Sequence, residues 1–315
     1  VLEDRVLALS PYGLVSLELD GRVLTAQSTV EGLSGVGMTS LAASLDGQYA
    51  LIGYQDGRID RWTPSDVRSI DDIPRSGQFQ GRTTLFDWAF SGPDKAFIAA
   101  DFGLVELDLV LNAVRGTYRI RSDSEPMRVS AVAVLGDSVF AATEQGLKSA
   151  SLLAPLYLPS SWRSSGRFAD SVITSLAAVQ GKLTAVSAGR AYQRDSGLWQ
   201  NLATPGDGQE VRRVCGCGPR TAVIRDFDIK LFDSQGLLVS DLSGGLSGNS
   251  RFTPRDLACG FVGQDGQAMR WVANPSRGIT LVDNPNYAQH FNINGPAGPQ
   301  AFDVRWEPSR GTTVL

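Results

Sequence analysis

The sequence holds one histidine, His290, and four lysines, Lys95, Lys148, Lys182 and Lys230. Histidine is the commonest general base near neutral pH, and His290 has no histidine to work with. A histidine-based catalytic or metal centre is therefore not expected, and His290 reads as a surface or packing residue in a connecting loop. The three cysteines, Cys215, Cys217 and Cys259, are too few and too odd in number for a disulfide framework. They read as small core residues, with Cys215 and Cys217 on one face of a strand. Scarce cysteine also suits a bacterial extracytoplasmic protein that does not depend on disulfides. No apolar run reaches the roughly 18 residues that a membrane-spanning helix needs. Any export signal is expected to have been removed or to lie outside this stretch, since the sequence opens at Val1 without a basic segment and apolar run. No P-loop, GxGxxG or GxSxG motif occurs, so no cofactor is expected. A net charge of −4 argues against nucleic acid as a partner. No sustained helical period is present, so helices should be nearly absent.

What the chain does have is a repeated unit. Residues 97–108, FIAADFGLVELD, give a short apolar run, a polar turn with glycine, then a run of alternating apolar and polar residues. The same sentence recurs as VLALSPYGLVSLEL (6–19), ALIGYQDGRIDRW (50–62), VFAATEQGL (139–147), LTAVSAGRA (183–191), AVIRDFDIKLFD (222–233) and WVANPSRGITLVD (271–283). Turn positions fall at Gly13, Gly57, Gly103, Gly146, Gly189, Asp228 and Gly278, spaced by 44, 46, 43, 43, 39 and 50 residues. Period-two alternation favours strands, and glycine supplies the positive φ of a tight connection. Asp228 is expected to visit the left-handed region in place of glycine. Strand units at this period predict a seven-bladed β-propeller with four-stranded antiparallel blades.

In this reading residues 1–300 form the propeller. The first blade lacks an innermost strand, and the segment 302–307 (FDVRWE) reads as one. Residues 301–315 therefore either close the ring or begin a following domain whose next strand is 312–315. The outer strand of blade four is expected near 156–158, ahead of a long Ser/Arg loop, 159–170. Innermost strands such as LAAS (41–44), LAAV (176–179) and CGCG (215–218) carry small side chains that suit a crowded axis. The channel should thus be lined by Ala, Val, Leu, Cys and Gly, with no cluster of acids for a glycan-cleaving enzyme. The chain is expected to be non-catalytic. The pair Asp71-Asp72 offers calcium ligands, but two acids in a turn are usually just solvated.

Function then falls to the surface. Connections between blades emerge on one face of the disc, and loops carry binding. They hold Arg75 and Arg82, then Trp162, Arg163 and Arg167, then Arg212 and Arg213. Arginine's planar fork suits phosphate and carboxylate, and Trp162 offers a ring for a sugar. The competing reading makes them solvated loop arginines balanced by Glu125, Asp170 and Asp207.

Several blades are worded specifically. GLSGVGMTSLAAS (32–44), ALIGYQDGRIDRW (50–62) and VRSIDDIPRSGQFQGRTTLFDWAF (67–90) resemble the N-terminal propeller of PorZ-like proteins of the type IX secretion system. The likeness continues in FIAADFGLVELDLVLNAVRGTYRI (97–120), VFAATEQGLKSA (139–150) and INGPAGPQ (293–300). The resemblance implies an exported, surface-exposed accessory protein of Bacteroidota. It would work with a PorU-like sortase and the outer-membrane proteins PorV and PorQ, which cleave cargo signals and attach cargo to anionic lipopolysaccharide. It transfers no ligand-site residue. The alternative is the periplasmic ligand-sensing propeller of a hybrid two-component regulator.

Overall fold

The protein is described by a computed structural model covering residues 5–10, 12–18, 23–79, 81–121, 123, 125–202, 208–242, 252–261, 268–275, 278–284, 287–291 and 303–307. Among the described residues, twenty-eight strands form seven four-stranded antiparallel sheets arranged as blades. Blade one comprises β1 (Arg5–Ser10), β2 (Gly13–Glu18) and β3 (Val23–Gln27). Blade two follows with β4 (Met38–Ala43), β5 (Ala50–Tyr54), β6 (Ile59–Thr63) and β7 (Asp66–Ile70), then the short helix α1 (Asp72–Ser76). Blade three holds β8 (Leu85–Phe90), β9 (Lys95–Ala100), β10 (Gly103–Asp108) and β11 (Ala113–Tyr118). Blade four holds β12 (Val129–Leu135), β13 (Ser138–Thr143), β14 (Gly146–Ser151) and β15 (Arg163–Ser164). Blade five holds β16 (Ile173–Val179), β17 (Lys182–Ser187), β18 (Arg190–Asp195) and β19 (Leu198–Asn201). Blade six holds β20 (Val211–Cys217), β21 (Arg220–Arg225), β22 (Ile229–Phe232) and β23 (Leu238–Asp241). Blade seven holds β24 (Asp256–Phe261), β25 (Ala268–Asn274), β26 (Gly278–Asn284) and β27 (Tyr287–Phe291), after which comes β28 (Asp303–Glu307). Strand β28 pairs antiparallel with β1, Arg5 opposite Glu307 and Leu9 opposite Asp303, and supplies the innermost strand of blade one. Phe302 and the segments 293–300 and 308–315 lie outside the described residues.

The second strand of each blade explains why the ring holds. In β9, KAFIAA, Ala96, Ile98 and Ala100 pack toward blade two, whereas Phe97 and Ala99 pack toward blade four. A strand buried on both faces reads as a continuous apolar run rather than as strict alternation. The same arrangement recurs at every junction, so the core is seven apolar layers between neighbouring blades. The last layer joins Trp271 and Ile279 of blade seven to Val6, Ala8 and Val304 of blade one.

Four local expectations change. The outer strand of blade four is Arg163–Ser164, not 156–158, because Pro155 and Pro159 carry no N–H for a ladder and Leu156 is drawn into the core. Asp228 has no positive φ; its carboxylate instead receives the buried Arg225 guanidinium, Nε at 2.7 Å, and closes the turn through side chains. His290 stands on β27, its Nδ1 2.9 Å from Thr280 Oγ1, and not in a connecting loop. Cys217 and Cys259 form a disulfide. Adjacent innermost strands bring their Cα atoms to 5.0 Å, within the range a disulfide spans.

Candidate functional site

Antiparallel order puts the connections between blades, and the turns joining second to third strands, on one face of the disc. First-to-second and third-to-fourth connections lie on the other. The segment 152–162 joins β14 to β15, so Trp162 belongs to the opposite face from Arg82 and Arg167. Its ring is buried and its N–H donates to the Leu156 carbonyl at 3.0 Å, which leaves no ring face for a sugar.

The arginines are scattered over three separate stretches of the ring. Arg75, in the last turn of α1, sits 2.7 Å from the Asp71 carboxylate. The neighbouring Asp72 accepts the Val114 N–H at 2.7 Å, so both acids of the pair serve the fold. Arg163 is exposed on β15, and the Arg167 guanidinium lies 4.5 Å from the Tyr192 ring. Arg212 and Arg213 stand on β20 rather than in a loop. Arg212 is held by Asp226 at 2.6 Å and Glu210 at 3.1 Å, and the hydrogen bond to Asp226 raises its pKa. Arg213 turns to the axis, 3.0 Å from the fully buried Asp256. Arg82 is exposed and lines a cleft between blades three and four. Asp207, expected to balance this set, lies outside the described residues.

The axis holds a cavity of about 400 Å³ lined by inner-strand residues of blades three to seven. Val132, Ala133, Leu176, Cys215 and Cys259 meet the expectation of small apolar walls, but Asp87, Trp88 and Arg213 line it too. A structural demand accounts for these polar groups. Five innermost strands carry a bulge at the same place, between Met38 and Ser40, Leu85 and Asp87, Val129 and Ala131, Ile173 and Ser175, and Val211 and Arg213. A bulge re-aims the side chains beside it. Thr39 and Ser40 thereby donate to the Leu85 carbonyl, and Asp87 accepts the Val132 N–H at 3.0 Å. Ser130 donates to the Ile173 carbonyl at 2.7 Å, while Ser175 bridges both the N–H and the carbonyl of Val214. Arg213 pairs with Asp256, whose other oxygen accepts the Val304 N–H at 3.2 Å. Each of these side chains reaches into the next blade. One polar residue just inside each innermost strand was the available signal.

Two carboxylates buried elsewhere, Asp60 and Glu106, are likewise engaged. Asp60 accepts from the Tyr54 hydroxyl at 2.6 Å and from the Ser34 N–H at 2.8 Å. Glu106 takes Lys95 at 3.0 Å and the Tyr118 hydroxyl at 2.5 Å. Burial, reinforced by these carboxylates, pushes both tyrosine hydroxyls well above the ordinary range.

Seven blades with neighbour-to-neighbour clasps around a narrow axis define a β-propeller whose axial Asp87, Arg213 and Asp256 serve the ring itself. Residues 6–163 match the PorZ N-terminal β-propeller domain of the type IX secretion system, and the chain belongs to that family. No curated protein matches it. Among solved structures it is similar to PorZ of Porphyromonas gingivalis, a bacterial surface component of the type IX secretion system. That likeness has 16% identity and a TM-score of 0.57, over 94% of this chain and 53% of the other. The chain thus spans about half the length of that PorZ. It is also similar to an extracellular domain assigned to a one-component system of B. thetaiotaomicron, at 12% identity, TM-score 0.61, and 84% and 34% coverage. The dihydro-heme d1 dehydrogenase NirN shares the fold at 11% identity, TM-score 0.59, over 96% and 74% of the two chains. Identities this low speak for the fold alone. No helix among the described residues is long and apolar enough to cross a membrane.

Proposed function

We propose that this propeller is a non-catalytic scaffold at the cell surface, part of the attachment complex of the type IX secretion system. There it assists a PorU-like sortase in processing cargo and in anchoring cargo to anionic lipopolysaccharide. Membership of the PorZ propeller family carries the reading. The non-catalytic role draws support from the interior: Asp87, Asp256, Asp60 and Glu106 are each spent on a backbone amide, a cation or a tyrosine of the fold. The test is deletion of the full gene in the native host, followed by mass spectrometry of secreted cargo C-termini. Cargo that keeps its C-terminal domain is the expected result. Normally processed cargo overturns the reading, and the ligand-sensing alternative would then lead.

A further inference from the structure

The face of inter-blade connections carries a cleft of about 620 Å³ between blades three and four. Four segments wall it: Gln78, Phe79 and Arg82 from the loop after α1, Asp101 and Phe102 from the β9–β10 turn, Arg119, Glu125, Pro126 and Arg128 from the β11–β12 connection, and Glu144 from the β13–β14 turn. Its floor is apolar. Phe79 stacks on the buried Phe102 with ring centroids 4.0 Å apart, and Pro126 lies beside them.

The charges in the cleft differ in how far they are committed. Arg128 leans over the Phe86 ring at 4.2 Å and reaches toward Asp101 at 3.9 Å, so both serve the walls. Arg119 also has an interaction within the protein. Arg82, Glu125 and Glu144 are exposed, and among the described residues none of them stands in an ion pair, although Arg121, itself paired with Asp123, acts on both glutamates from a longer distance. One cation and two carboxylates outside any ion pair thus stand beside a phenylalanine stack.

We propose that this cleft binds a short peptide segment that carries an apolar side chain between a basic and an acidic residue. Its three arginines are matched by three carboxylates. An anionic glycan or lipid headgroup would gain from Arg82 but meet Glu125 and Glu144, and like charges brought together cost affinity. A purely cationic ligand meets the three arginines in turn. A segment with both signs satisfies both sets, and an apolar side chain between them covers Phe79. The site goes beyond the secretion reading and does not rest on it.

The test uses the 315-residue chain and calorimetric titration with four acetylated, amidated tripeptides: Lys-Phe-Asp, Asp-Phe-Lys, Lys-Phe-Lys and Asp-Phe-Asp. At least one mixed-charge peptide should bind about fivefold or more tightly than both like-charged ones, the advantage expected of one partly exposed ion pair. Arg82→Ala and Glu144→Ala should each remove about that factor. Arg82→Glu should turn the preference toward Lys-Phe-Lys, a reversal that misfolding cannot imitate. Tighter binding of Asp-Phe-Asp, or displacement of every peptide by anionic lipopolysaccharide with higher affinity, overturns the proposal in favour of an anion site. So does the lack of saturable binding by any of the four peptides.

Discussion

Two neighbouring junctions solve the same problem with different chemistry. Between blades five and six, one neutral hydroxyl, Ser175, bridges the N–H and carbonyl of Val214. Between blades six and seven stand an ion pair, Arg213 with Asp256, a thiol contact from Cys215 to the Leu257 carbonyl at 3.7 Å, and the Cys217–Cys259 disulfide. Blade seven is also the blade that must hold β28, the last strand to join the ring, and Asp256 touches Val304 on it. A bridge between consecutive blades near the middle of the chain closes only local sequence. The last blade instead has to bind a strand whose partner, β1, lies at the other end of the chain. The stronger clasp does not close the ring itself, since it too spans only about one repeat; it fixes the blade against which the closing strand docks, and that strand is the one whose closure costs the most entropy.

Breaking the clasp should show that order. The disulfide joins residues 42 apart, and the loop-closure relation puts its contribution at about 4 kcal/mol. Cys217→Ser with Cys259→Ser, or reduction of the native chain, should lower unfolding stability by an amount near this. Denaturant titration with and without reductant checks it, and a curve indifferent to reductant would mean that the junction is held by packing alone. Next in size is Asp256→Ala, which strands Arg213 and the Val304 amide. Loss of one partner of a buried ion pair costs about 3–5 kcal/mol, and the partial exposure of Arg213 points to the lower end. Hydrogen exchange should then quicken first in 303–307, the strand that Asp256 holds. Uniform quickening across the molecule would argue against a role in closure.

Ser175→Ala should cost less, about 1–2 kcal/mol, since it removes two hydrogen bonds of one hydroxyl and leaves Val214 groups unmatched. A loss as large as that of Asp256→Ala would erase the distinction between the junctions. Urea midpoints of the two variants, measured side by side, decide it.

Much of this was legible in the sequence. The hairpins announced themselves because tight turns need glycine, yet the reasons differ from turn to turn. Gly57 takes a positive φ of 85°, whereas at Gly13 a Cβ would collide with the Gln27 carbonyl. Asp228 shows that the same turn can be closed by an ion pair, which composition at one position does not reveal. The disulfide was hidden because 42 residues is close to the repeat length: two cysteines about one period apart look like equivalent core positions until the ring sets their strands side by side. The clasps were hidden for a related reason. Asp87, Ser175 and Arg213 differ chemically, and only the shared bulge shows that they do one job. Trp162 was misplaced because a two-residue outer strand leaves no pattern, so the connection before it reads as a connection between blades. The cleft above Phe79 and Phe102 was half visible, in Arg82. Its carboxylates come from turns that local reading treats separately.

Adjacent residues on β20 give the finest version of the comparison. Arg213 points to the axis and pairs with a carboxylate that solvent does not reach; Arg212, one residue earlier at the bulge, pairs outside with Asp226 and Glu210. Surface pairs contribute at most about 1 kcal/mol, because water already solvates both charges and salt screens them. Arg212→Ala should therefore shift stability by about 0.5 kcal/mol, and less in high salt. Burial tends to raise the Asp226 pKa, but the hydrogen bonds from Arg212 and the Glu210 amide hold it below the usual carboxylate range. A depressed carboxylate stabilises the fold above its unfolded pKa and loses that contribution as pH falls through the folded value. The difference between wild type and Arg212→Ala should thus be present at neutral pH and fade below about pH 4. Thermal unfolding at pH 7 and pH 3 checks the sign. A difference that persists at pH 3 would mean that Arg212 acts through the packing of its aliphatic stem, and the contrast with Arg213 would then be one of depth rather than of charge.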